Sequence, residues 1–262
     1  YVVSVEPDYI QNLTSLTQDT YSEEQWYLDS GSHFQGSSSG ISFRSTISKT
    51  KQDTPVIAVM DTGINYEHED LAGRMWNYLS KGLPGIHGYD FTNKNAYCMD
   101  SLGHGTHCAG IIAAAADNQK GIAGISNARL MALKVFDTEG RTRNSDIIEA
   151  LNYIIQAKQA GVNIVAVNCS WGGGTSSYAM STLVHQIGAS GTLFVFASGN
   201  DSVNHDISYL SCPYDLYQGE YSISGNRNFI IITGASDPYD NACSFSDYGK
   251  KDVDLFAPGD RI

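Results

Sequence analysis

The chain has 262 residues, 42% of them hydrophobic and 17% charged, a globular composition long enough for one large α/β domain. A formal net charge of −12 argues against nucleic acid or an anionic membrane as a partner. No apolar run approaches the roughly 18 residues of a membrane span.

Residues 1–10 alternate well enough for a strand, broken at Pro7, and residues 14–25 are polar. Residues 30–53 are rich in Ser, Gly and Thr and read as surface loop. Composition then changes. Residues 55–60 form a continuous apolar run, as a strand covered on both faces requires, and the pattern returns at 130–136, 162–169, 192–197 and 229–235. The compact apolar run 111–116 is expected in a buried helix with His104 near its start. Asn144 or Ser145 is expected to cap a helix with Ile147, Ile148, Leu151, Ile154 and Ile155 on one face, ended by Gly161. Ser176 is expected to cap another that presents Met180, Leu183, Val184 and Ile187. This alternation predicts an α/β fold with a mostly parallel sheet and helices on both faces. Ligands gather beyond the carboxyl ends of the strands in such folds.

Five cysteines occur, Cys98, Cys108, Cys169, Cys212 and Cys243, with no CxxC pair, so a structural zinc knuckle is not expected. The odd count leaves at least one thiol free. Cys108 and Cys169 sit in apolar runs and are expected to be buried thiols. Cys98, Cys212 and Cys243 sit in polar loops, where two of them can pair.

Four places carry chemistry. Asp61 ends the first buried strand, which sets a carboxylate at the ligand-binding edge of the sheet. His104 lies between Gly103 and Gly105, and glycine there permits a tight turn and close approach of another segment. A strand-end Asp can accept a hydrogen bond from one imidazole nitrogen and leave the other to take a proton from a nucleophile. Asn200 follows the strand 192–197, where its amide can donate to a developing oxyanion. Residues 168–174, with three glycines, leave backbone open for an extended substrate to pair with. The competing reading is a metal site: His104 and His107 are three apart, with Cys98, Asp100 and Cys108 nearby. The zinc-hydrolase spacing is four with a glutamate between, so His107 is expected to be a packed core histidine.

Asp61-Thr-Gly, His104 in Gly-His-Gly-Thr-His, Ser170-Trp-Gly-Gly, Ser198-Gly-Asn200 and Phe256-Ala-Pro-Gly259 occur in an order that resembles the subtilisin-like serine proteases. The likeness runs from about Gln25 to Ile262. It implies a three-layer subtilisin-like fold and a serine endopeptidase acting on polypeptides. Asp61 is then the orienting acid, His104 the general base and Asn200 the oxyanion donor. Ser170, Trp171 and Gly172 become the strand that binds substrate backbone, and Gly140 lies on the opposite edge of the cleft. Gly140 is followed here by Arg141-Thr142 where the family commonly has Ser-Gly. Asp70, Asn118 and the carbonyls of Ala116, Lys120 and Ile122 are similar to the family's tight calcium site. The resemblance also implies a secreted monomer whose own prosegment inhibits it: residues 1–20 resemble the end of that prosegment, and 21–262 the catalytic domain.

The pattern departs at the nucleophile. The family's serine lies in Gly-Thr-Ser-Met-Ala, downstream of Ala-Pro-Gly, and this chain ends at Ile262, just after Ala257-Pro258-Gly259. Gly174-Thr175-Ser176 precedes Asn200, lacks Met-Ala and is a decoy. The expectation is therefore a C-terminally incomplete domain, inactive and poorly stable as given. The alternative is an inactive, peptide-binding or regulatory relative without the serine. Cleavage preference stays open, because Asp201 on a pocket rim favours basic residues and Trp171 apolar ones.

Overall fold

A computed structural model describes residues 17–28, 40–41, 55–77, 82–172, 177–206 and 228–262. The expected strand at 1–10, Cys212 and the Gly174-Thr175-Ser176 decoy fall outside these. Among the described residues, seven strands form one sheet: β1 (Val56–Asp61), β2 (Gly88–Asp90), β3 (Arg129–Lys134), β4 (Ile164–Cys169), β5 (Leu193–Ala197), β6 (Ile230–Ser236) and β7 (Leu255–Pro258). Their order is β2-β3-β1-β4-β5-β6-β7, and every pairing is parallel. The sheet is thus wholly parallel where a mostly parallel one was expected. A parallel sheet is covered on both faces over most of its extent, which is why its central strands read as apolar runs.

Among the described residues, three α-helices cover it: α1 (His104–Ala113), α2 (Asn144–Gln159) and α3 (Tyr178–Ala189). Side chains alternate along β1. Ala58 and Met60 join a core with Ile147, Leu151 and Ile154 of α2 and Met180, Val184 and Ile187 of α3. Val59 points the other way, into a core with Ala109 and Ala113 of α1. The same period turns Asp61 toward α1.

Local details differ from expectation. The apolar run 111–116 outlasts its helix, because α1 ends at Ala113 and the N–H of Ala115 donates to the Asp70 carbonyl at 3.0 Å. The N-cap of α2 is Arg143, with no side-chain cap. That of α3 is Ser177, not Ser176, and its Oγ accepts from the Met180 N–H at 3.4 Å. Cys98 and Cys243 are buried free thiols, packed beneath segments whose flanks look polar in sequence.

Candidate active site

Asp61 is the last residue of β1, and its side chain is 1% exposed. Its Oδ1 lies 2.7 Å from His104 Nδ1 and accepts the Thr62 N–H at 2.7 Å. His104 is the first residue of α1 and stays 55% exposed at its side chain. Two glycines make this meeting possible. Gly103 turns the chain at φ 90°, and a Cβ at Gly105 would come within 2.2 Å of the Gly63 carbonyl and 3.1 Å of Asp61 Cβ. The hydrogen bond to Asp61 raises the His104 pKa, partial burial opposes it, and the charges of Asp61 and Asp100 add to the rise. An ionised Asp61 accepts from Nδ1–H, so Nε2 of the neutral ring carries the free lone pair.

Asp100 anchors the start of α1. It accepts from the N–H groups of Leu102, Gly103 and Thr106 and from the hydroxyls of Thr106 and Thr62. Burial alone would raise its pKa, and these bonds instead bring it down to about 2. Thr62 Oγ1 in turn accepts from the Gly105 N–H at 2.9 Å. Lys134, buried at the end of β3, donates from Nζ to the Thr62 carbonyl and to Ser101 Oγ. A cation thus sits under the turn that carries Asp61.

A cleft of about 520 Å³ opens along β4, β5, β6 and β7, lined by His104, Cys108, Asn168, Ser170, Asn200 and Gly259 among others. Asn200 is exposed on the turn after β5. The fold therefore brings His104, Ser170 and Asn200 to one cavity. Trp171 and Gly172 do not line it. The Trp171 indole N–H donates to the Met60 carbonyl at 2.7 Å, and its ring packs edge-on between Phe136 and Phe196. Gly140 sits outside too, in a turn at φ 72° whose missing Cβ would lie 3.7 Å from the Leu102 side chain.

Histidine 107 is exposed, contrary to the core role expected of it, and lines the same cleft one turn along α1 from His104. Nor does it join a ligand cluster: the one such group among the described residues is Asp61, His104 and Cys108. Burial pushes the Cys108 thiol up to about 11, so without a metal it is protonated at neutral pH. The metal-hydrolase reading thus loses its second histidine.

Comparison with known proteins agrees with this geometry. The sequence profile of the subtilase family matches residues 52–261. The chain belongs to the subtilase family. Among the relatives of this subtilase is the thermophilic serine proteinase of Bacillus sp. (strain AK1), 32% identical over 97% of this chain and 54% of that one. Thermitase of Thermoactinomyces vulgaris is 31% identical over 79% and 63%. The cell wall-associated protease of Bacillus subtilis is 31% identical over 97% and 26%. The chain thus spans less than two thirds of each relative's length. A solved cold-adapted subtilisin-like serine proteinase aligns with TM-score 0.57 at 26% identity, covering 89% of this chain and 72% of that one. A protease from Pseudoalteromonas arctica shares the fold with TM-score 0.69 at 23% identity, covering 94% and 73%.

The subtilase has a second polar centre at the loop 116–122. Asp70, 3% exposed, accepts from Asn118 Nδ2 at 2.7 Å and from the Ile122 N–H at 3.0 Å. Gly121 stands at φ 42°, where a Cβ would meet Asp70 Oδ2 at 2.3 Å. Asp19, 4% exposed, accepts from the N–H groups of Asp117 and Asn118 at 2.9 Å. Sequence reading missed Asp19, because only the tertiary fold brings it across 98 residues. Among the described residues, neither carboxylate has a cationic partner, and no hydrogen bond ends on the carbonyls of Ala116, Lys120 or Ile122. Two buried carboxylates and three carbonyls without a hydrogen bond suit a hard cation, while the Asn118 amide oxygen accepts the Lys120 N–H at 2.8 Å and would have to turn from it to join them.

Proposed function

We propose that this chain is most of the catalytic domain of a secreted serine endopeptidase that hydrolyses polypeptides. The observation that carries the reading is the 2.7 Å pair of Asp61 and His104, opening on the cleft that Ser170 and Asn200 also line. Asp61 holds the imidazole in the tautomer that leaves Nε2 basic. His104 takes the proton of a serine hydroxyl as that oxygen attacks the substrate carbonyl, then returns the proton to the leaving amine. The Asn200 amide donates to the oxyanion formed between these steps, a contribution of roughly 10²–10³ in turnover, a magnitude known from subtilisin itself. Of the backbone at 170–172, Ser170 lines the cleft, and it is there that an extended substrate pairs. The serine belongs to the segment after Ile262.

A calcium ion at the 116–122 loop is part of the same reading, held by Asp70, Asn118 and the carbonyls of Ala116, Lys120 and Ile122, with Asp19 added. Bound there it neutralises the buried carboxylates and ties the N-terminal segment to the body. Because Asp19 is buried on that loop, we place the end of the prosegment before Thr17 rather than at residue 20. The prosegment itself, before its removal, is the inhibitory partner.

The test is turnover of the full-length protein on a chromogenic peptide. Expected is hydrolysis that a serine-directed phosphonate stops at one equivalent and that His104→Ala reduces to background. The 262-residue segment alone gives no turnover. A folded full-length protein that binds peptides and cleaves none would replace this reading with the inactive relative. Hydrolysis abolished by a chelator within the dead time, yet indifferent to the phosphonate, would replace it with metal chemistry.

A further inference from the structure

A second buried Asp–His pair lies behind the Asn200 turn. Asp247 is 0% exposed and His205 3% exposed, and His205 Nε2 is 3.0 Å from Asp247 Oδ2. The other carboxylate oxygen, Oδ1, accepts the N–H of Asp201 at 2.8 Å and of Val203 at 2.9 Å. The main chain of Asp247 holds the other side of the turn. Its N–H donates to the Gly199 carbonyl at 3.0 Å, and its carbonyl accepts from Ser198 Oγ at 3.2 Å. Asn200 is bracketed on both sides, at 198–199 and at 201–203, by one residue.

The contact is close enough to dictate the sequence. Gly199 adopts φ 120°, and a Cβ there would stand 2.3 Å from Asp247 Oδ2. Beneath the turn there is room for the carboxylate only because residue 199 has no side chain. A fully buried carboxylate is costly unless hydrogen-bonded, and the two N–H groups and the imidazole are among the partners that offset this cost. The turn and the carboxylate therefore hold each other. His205 holds Oδ2, the oxygen opposite the one that meets Asp201 and Val203.

We propose that Asp247, held by His205, is a positioning residue that sets the Asn200 amide for oxyanion binding. The proposal rests on the reading of Asn200 given above. It predicts that Asp247 acts on turnover through Asn200 and in no other way, which a kinetic double-mutant cycle in the full-length protein can decide. Asn200→Ala is expected to lower kcat by about 10²-fold. Asp247→Ala is expected to lower kcat by about tenfold or more with KM little changed. In the Asn200→Ala background, adding Asp247→Ala is expected to cost nothing further. His205→Leu, which removes the donor at similar bulk, repeats the cycle with a smaller first step and serves if Asp247→Ala does not fold.

The outcomes separate. If Asn200→Ala leaves kcat intact, or the full-length protein has no turnover, the reading of the site fails and this inference with it. If Asn200→Ala slows turnover but the Asp247 and His205 effects multiply with it, the pair is a fold-stabilising feature only, and this inference alone is overturned.

Discussion

At the residue scale the decisive quantity is the basicity of His104. Its pKa is raised, first by the hydrogen bond to Asp61, so the protonated and inactive form persists to higher pH than in a free imidazole. A base must be neutral to act, so the acid limb of kcat/KM in the full-length protein should lie above the ordinary histidine value of about 6.5. Asp61→Asn should move that limb down and lower kcat by up to about 10⁴-fold, because the neutral amide no longer selects the Nδ1–H tautomer. A pH–rate profile of the two proteins checks both signs. Cys108 makes a contrasting case in the same cleft. With its thiol held up at about 11, it is protonated at neutral pH, and iodoacetamide at pH 7 should leave turnover unchanged.

At the element scale, function depends on how closely α1 approaches the end of β1. Gly105→Ala drives a Cβ to 2.2 Å from the Gly63 carbonyl, which is backbone and yields little. We expect a loss of about 1–3 kcal/mol by thermal unfolding, with His104 displaced from Asp61. Asp100 fastens the same helix end. Its carboxyl is brought down to about 2, below the ordinary carboxylate value of about 3.9. A depressed pKa gives stability that is fully present above the unfolded value and fades as pH falls through the folded one. Asp100→Asn should therefore unfold more easily than the parent at pH 7, and the gap should close toward pH 2. Melting curves across that range decide it.

At the scale of the whole molecule, the 116–122 loop fastens the N-terminal segment to the domain. Tyr21 donates its N–H to the Gly121 carbonyl, and Gln25 exchanges two hydrogen bonds with the main chain of Ala123. Trp26 reaches the other end of the described chain, its indole N–H donating to the carbonyls of Asp260 and Arg261. A cation on the loop should stabilise all of this together. Calcium at about a hundred times its Kd should add about 3 kcal/mol. Asp70→Asn and Asp19→Asn should each weaken the calcium-dependent rise in Tm, while a control on a distant exposed face such as Glu149→Gln should keep it. The Asp19 arm tests a residue that no motif would have nominated.

What the sequence determined by itself was set by local rules. Buried parallel strands need apolar runs, so β1, β3, β4, β5 and β6 were legible, and polar residues at or just past their carboxyl ends marked Asp61, Ser170 and Asn200. The five ordered motifs were legible for the same reason, since each is a few consecutive residues. Helix ends were less so: Arg143 and Ser177 hold the cap positions expected of neighbouring residues, because packing against the sheet decides where a helix starts. Burial across the chain was decided only in three dimensions. His107 looked internal and is exposed, and Cys98 and Cys243 looked external and are buried. Asp19 meets Asn118, and Asp247 meets Asp201 and Val203, across separations no pattern encodes. A carboxylate's partners depend on which segments the fold stacks, and that is fixed by the tertiary packing of the whole sheet and its helices.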